Sequence, residues 1–146
     1  EASSYPADEA ASPERLQFRL RNAGEWFMVC VERDTQEIVG YICSTAVAGD
    51  LTEESMAAHD PSGDNLCIHS VVVEHSRRRL GIGSAMLKQY MSEFESRAPP
   101  KPRVVSLLAK QHLCAFYQAA GFDLMGPSPV EHGAEQWFLL QRAVSN

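Results

Sequence analysis

The four cysteines (Cys30, Cys43, Cys67, Cys114) contain no C-x-x-C pair and sit inside apolar runs. The histidines His59, His75, His112 and His132 share no metal-ligand spacing with them or with one another. The expectation is no metal and buried, reduced thiols, as in a cytoplasmic protein. No apolar run approaches a membrane-spanning length, and no secretory signal is visible; a membrane partner is not expected. Positive charge is in deficit: 13 Lys and Arg against 19 Asp and Glu, a net charge of −6. The densest basic run is Arg77–Arg79, which argues against a nucleic-acid partner. Repeats and domain linkers are also missing. What remains is 146 residues, 45% of them apolar, the size and composition of a single domain over 1–146 with a real core. A monomer or weak dimer is expected.

One stretch, residues 65–89, organises the chain. It runs N-L-C-I-H-S-V-V-V-E-H-S-R-R-R-L-G-I-G-S-A-M-L-K-Q: an apolar strand, a basic turn with two glycines, and a helical pattern. The first N–H groups of a helix lack intrahelical partners and carry partial positive charge. Glycine lets such a backbone approach a phosphate closely, and Arg77, Arg78 and Arg79 add fixed charge. The stretch is built for a pyrophosphate. The spacing is not that of a P-loop, since no Gly-Lys-Ser/Thr follows a four-residue gap, nor that of a dinucleotide fingerprint, which needs a third glycine.

Around this stretch, Ser12 can cap a helix with Pro13 at its first position and Glu14 in its first turn. Leu16, Leu20 and Ala23 recur at helical spacing up to Gly24. Residues 26–31 and 38–45 read as a hairpin about the polar segment 32–37, and 52–59 as a short helix. In the strand 66–73, the two-residue period puts Cys67, His69, Val71 and Val73 on one face and Leu66, Ile68, Ser70 and Val72 on the other. The helix after Gly83 carries the stripe Met86, Leu87, Tyr90, Met91 and Phe94. A strand over 103–109, a short helix over 111–120 closed by Gly121, and strands near 122–125 and 136–141 follow. This alternation predicts an α/β (α+β) domain with a mixed sheet packed by helices.

R-x-x-G-x-G, from Arg78 to Gly83, and F-Y-x-x-x-G-F, from Phe116 to Phe122, resemble the two hallmark motifs of the GNAT superfamily of N-acetyltransferases. L-T-E-E-S at 51–55, the segment 5–12, Gly126-Pro127, and His132-Gly133 with Trp137 resemble arylalkylamine (serotonin-type) N-acetyltransferases, in particular their non-vertebrate branch. The resemblance covers nearly everything from Tyr5 onward. It implies a GNAT fold with a mostly antiparallel central sheet, and a first strand before Tyr5 that this chain starts too late to contain. It implies acetyl transfer from acetyl-CoA to a primary amine in a ternary complex. Ser70, Val71 and Val73 would bind the pantetheine arm and polarise the thioester, and Arg78, Arg79, Leu80, Gly81, Ile82, Gly83 and Ser84 would hold the pyrophosphate. Tyr5, Pro6 and Met125 would contact the amine. Polyamine, aminoglycoside and protein N-acetyltransferases share the fold, and a non-catalytic acyl-CoA-binding module is a rival of another class.

An alkylammonium with a pKa of roughly 10.4 is neutral in about one molecule in a few thousand at pH 7, a cost of roughly 4–5 kcal/mol. A base, or a water chain to one, is therefore useful, whereas a thiolate leaves with little help. The resemblance implies that Tyr117 faces the CoA sulfur as the acid. Two bases are candidates. His69 lies on the central strand, where vertebrate relatives are similar in placing two histidines, at the positions of Cys67 and His69. Glu9, beside Asp8, matches a glutamate that insect relatives are thought to use to drain the proton through water. Cys67 reads as a small buried residue rather than a nucleophile.

Overall fold

The computed structural model describes residues 11–144. Tyr5, Pro6, Asp8 and Glu9 lie outside the described residues. Helix α1 (Pro13–Asn22) begins as its sequence predicts, with Ser12 accepting from the Arg15 amide at 3.1 Å and Pro13 at the first position. Strands β1 (Phe27–Val31) and β2 (Ile38–Val47) form the expected hairpin, its turn closed by the Glu32 N–H donating to the Glu37 carbonyl at 2.8 Å. A single helical turn, α2 (Glu53–Met56), is fixed by a reciprocal capping box between Thr52 and Ser55. Then come β3 (Asn65–Val73), α3 (Ile82–Ser96), β4 (Val104–Lys110), α4 (Cys114–Ala119), β5 (Asp123–Pro127) and β6 (Trp137–Ala143).

The six strands make one sheet in the order β1-β2-β3-β4-β6-β5. Every pairing is antiparallel except β3 with β4. That parallel ladder joins Asn65 to Val104 and ends at Ile68 opposite Leu107, although β3 continues to Val73 and β4 to Lys110. Beyond Ile68 the two strands part. The α3 stripe read from the sequence (Met86, Leu87, Tyr90, Met91, Phe94) is buried against Ile42, Leu66, Ile68, Val105 and Leu107. A smaller cluster of Val47, Leu51 and Cys67 with Met56 fills the opposite face under α2. The four cysteines are free, and three of them, Cys43, Cys67 and Cys114, are buried. Among the described residues no helix is long and apolar enough to cross a membrane.

Two expectations fail in informative ways. Strict alternation along β3 breaks at His69, because Cys43 pairs with Ser70 while Ser44 pairs with Ile68. His69 is the extra residue of a bulge. Past it the faces switch, so Val71 and Val73 pack with Leu66 and Ile68 in the α3-side core instead of sharing a face with Cys67 and His69. In α1 the predicted stripe included Leu20, yet Leu20 is 56% exposed and Arg19 is the buried residue, at 8%. The helix turns a guanidinium, not a leucine, towards β2.

Candidate active site

The parting of β3 and β4 opens a cavity of about 530 Å³. Ile68, His69 and Ser70 line it from β3, Leu107, Leu108 and Ala109 from β4, and Tyr117 from α4. Helix α1 contributes Arg15 and Arg19, α2 contributes Glu53 and Met56, and Val130, Glu131, His132 and Trp137 close the far wall. The structure thus brings His69, Ser70 and Tyr117 together around one space. Tyr117 is buried between Phe116 and Phe122, with edge-on rings at centroid distances of 5.0 and 6.1 Å. Those two neighbours are the motif's own phenylalanines, so the motif fixes the phenol by packing.

The bulge sets His69's environment. Its Nε2 lies 2.7 Å from Thr45 Oγ1 on β2 and its Nδ1 3.8 Å from Cys67 Sγ. Burial first, then the positive charges of Arg19 and Arg15, hold its pKa well below the ordinary histidine value. The imidazole is therefore neutral at pH 7, able to accept a proton but reluctant to keep it. Burial pushes the Cys67 thiol up to about 12, so at neutral pH it is a packed thiol and not a nucleophile.

At the other end of β3, the turn into α3 has the geometry of an anion cradle. Gly81 is the N-cap with φ of 78°, and no side chain caps the helix. Arg79 also has a positive φ, 65°. Leu80 is 71% exposed, and Arg78, Gly81 and Ser84 are exposed beside it, with Ile82 and Gly83 half-buried. Arg78 donates through Nε to the Val73 carbonyl at 3.3 Å, tying the turn to the strand end. Arg77 does not belong to the cradle: it pairs with Glu32 at 2.5 Å and with Glu74 at 3.6 Å. The fixed charge expected from three arginines is thus carried by two, and the third ties the turn to the β1–β2 hairpin.

Met125 lies elsewhere. It is the extra residue of a second bulge, where Leu124 pairs with Leu140 and Gly126 with Leu139 on edge strand β5. It is 57% exposed and is not among the cavity's lining residues. Beside Tyr117 and His132, Trp137 adds an indole and Met56 a thioether to the cavity lining. Both stand in the segments 51–59 and 132–137 that the sequence singled out without giving either residue a role. Arg15, Arg19, Glu53 and Glu131 also line the cavity; only tertiary packing gathers them there.

Comparison with known proteins fits this architecture. The chain is 33% identical over 91 residues to the serotonin N-acetyltransferase of Mesocricetus auratus, a match spanning 62% of this chain and 43% of that protein. It is 30% identical over 84 residues to the Macaca mulatta enzyme of the same name, covering 58% of this chain and 40% of that protein. Each match thus spans less than half of the relative's own length. Among solved structures, the GphF GNAT-like decarboxylase in complex with isobutyryl-CoA superposes with a TM-score of 0.81 at 19% identity, over 99% of this chain and 91% of that one. The loading GNATL domain of CurA from Lyngbya majuscula gives 0.80 at 13% identity, over 96% and 87%. These likenesses show a shared fold. The family model for the acetyltransferase (GNAT) family matches residues 1–122, most of the chain, and with the splayed β3–β4 pair and the glycine turn into α3 it establishes that this chain belongs to the GNAT acetyltransferase family.

Proposed function

We propose that this chain transfers the acetyl group of acetyl-CoA to the primary amine of a small arylalkylamine, by direct attack in a ternary complex. The observation that carries the reading is the end of the β3–β4 ladder at Ile68 and Leu107. It opens a cavity beside Tyr117 of α4 and Ser70 of β3, the strand whose far end leads to the uncapped start of α3. Acetyl-CoA supplies the thioester. Backbone groups of Ser70, Val71 and Val73 hold the pantetheine arm by extending the sheet. The first N–H groups of α3, together with Arg78 and Arg79, hold the pyrophosphate. The amine attacks the thioester carbon, the C–S bond breaks as the tetrahedral adduct collapses, the Tyr117 hydroxyl donates a proton to the departing sulfur, and the proton shed by the new amide nitrogen restores the phenol.

The ammonium proton must leave before attack. His69 is neutral and hydrogen-bonded to Thr45, which suits it to passing a proton along more than to storing one. Glu9 is the terminal base in this reading, with His69 a member of the water chain that reaches it. Apolar side chains (Ile68, Leu107, Leu108, Val130, Trp137) face the aryl group. Arg15 and Arg19 on the same cavity disfavour a polyamine, because two guanidiniums would repel a polycation.

The test is acetyl-CoA turnover across tryptamine, phenethylamine, spermidine and a lysine peptide. Turnover confined to the first two supports the reading. Acetylation of spermidine or the peptide alone assigns a different acceptor, and acetyl-CoA binding with no turnover of any amine leaves a binding module.

A further inference from the structure

The cavity contains two cations that acetyl transfer to a simple amine does not use. Arg19 is only 8% exposed. Its one hydrogen bond through Nη1 goes to Cys43 Sγ, a weak acceptor, at 3.7 Å. Its Nε is buried without any partner. Ionised groups at such depth are normally paired, because an unsatisfied donor there is costly. Arg15 lies one helical turn earlier, on the same face of α1, and donates through Nη1 to the Ala57 carbonyl at 3.2 Å. Among the described residues neither arginine forms an ion pair. Both line the cavity beside His69. Among the described residues neither cavity carboxylate pairs with them: Glu53 Oε1 accepts from the Glu131 backbone N–H at 3.2 Å, and both glutamates are exposed.

We propose that Arg15 and Arg19 form a subsite for a carboxylate carried by one of the two substrates. The guanidinium is a rigid fork of donors matched to a carboxylate. An anion seated there satisfies the orphaned Nε and neutralises two like charges one turn apart. The carrier is either the acceptor, which is then an aryl amino acid, or the acyl group, which is then a dicarboxylic thioester. This reading rests on the cavity being the acyl-transfer site, and it narrows either the acceptor or the acyl donor of the proposed reaction to one that bears a carboxylate.

The experiment compares calorimetric binding of 3-phenylpropanoate and of its uncharged counterpart 3-phenylpropan-1-ol to the wild-type chain, Arg19→Gln, Arg19→Lys and Arg15→Gln. The wild type should favour the acid by about tenfold to a hundredfold, the range for hydrogen bonds to a charged group. Either glutamine variant should erase most of that preference, and Arg19→Lys should restore part of it. Arg15 is half-buried, so Arg15→Gln remains informative should Arg19→Gln fail to fold. Two turnover arms identify the carrier: phenylalanine against phenethylamine with acetyl-CoA, and malonyl-CoA against acetyl-CoA with phenethylamine. Equal binding of acid and alcohol, or an acid preference that survives both glutamine variants, overturns the subsite. So does an enzyme that acetylates phenethylamine and gains in neither arm. A chain that binds the acid through these arginines yet acetylates no amine keeps the subsite and loses the proposed acetyl transfer, so the two failures are distinguishable.

Discussion

Tyr117 is held by edge-on contacts with Phe116 and Phe122 and lines the cavity. Tyr117→Phe keeps those ring contacts and deletes the proton. Turnover should fall roughly 10–10³-fold, the lower part of the range for general acids, because a thiolate leaves readily. Acetyl-CoA affinity should stay as it was. Single-turnover kinetics beside calorimetry check both halves, and wild-type turnover would reduce Tyr117 to packing. The two candidate bases separate by pH. If Glu9 receives the proton, Glu9→Gln should lower kcat/KM for tryptamine and change its acidic limb, while His69→Gln costs less. In the reverse case the order inverts. If both serve one water chain, the double mutant should show much less than the sum of the single losses. A Glu9→Gln profile superimposable on wild type would leave His69 as the base. What the residue types alone could not tell is that His69 is neutral: burial first, then two arginines from another element, impose that state.

Among the elements, the start of α3 is where sequence and structure agree most closely, and where the glycines divide the work. Gly81 takes the left-handed conformation that begins the helix without a side-chain cap. Gly83 does something different from the role its motif position suggests. A Cβ there would point inward, 3.6 Å from Phe116 Cζ and 3.7 Å from Val73 Cγ2. Those are ordinary contact distances, so Gly83→Ala should fold and bind acetyl-CoA much like the wild type. Gly83→Val adds three carbons, two more than alanine, to a filled space and should cost about 1–3 kcal/mol. By levering the first turn of α3 away from β3, it should also raise the acetyl-CoA dissociation constant at least tenfold. Denaturant unfolding and calorimetry on both variants check this; tight binding by a folded Gly83→Val would remove the pyrophosphate assignment. Helix α1 is the counterexample. Its caps are legible from Ser12 and Pro13, but its orientation is not, because a 3.6-residue period with Arg19 beside Leu20 leaves open which of two neighbours turns inward.

At the scale of the whole molecule, the splayed sheet brings a histidine into a site with two cations, and stability should register it. His69 has its folded-state pKa depressed below that of the unfolded chain. As pH falls below about 6.5, the usual histidine value, the unfolded chain binds a proton that the folded one refuses. The stability present at neutral pH is therefore lost progressively as pH drops from there towards the folded pKa, at up to about 1.36 kcal/mol per pH unit for one group. His69→Gln, which cannot titrate, should show a shallower fall of Tm between pH 7 and pH 5 than the wild type. Equal slopes would mean that the ring is solvated and titrates normally.

The element order, the buried stripe of α3, the glycine turn and the tyrosine motif followed from the sequence itself, because each rests on residues within one or two turns of one another. Local capping, period and turn chemistry decide them. The burial of Cys43, Cys67 and Cys114 was legible for the same reason, from their apolar neighbours, whereas Cys30 is only half-buried. Three things needed the folded chain. The face assignment of Val71 and Val73 depended on a bulge that only β2 reveals. Met125's departure to the edge strand depended on a second bulge against β6. The composition of the cavity depended on α1, α2, β3, β4, α4 and the loop before β6 converging where the β3–β4 ladder stops. The physical reason is common to all three. Register and convergence are set by partners distant in sequence, and a single inserted residue reverses every side chain beyond it.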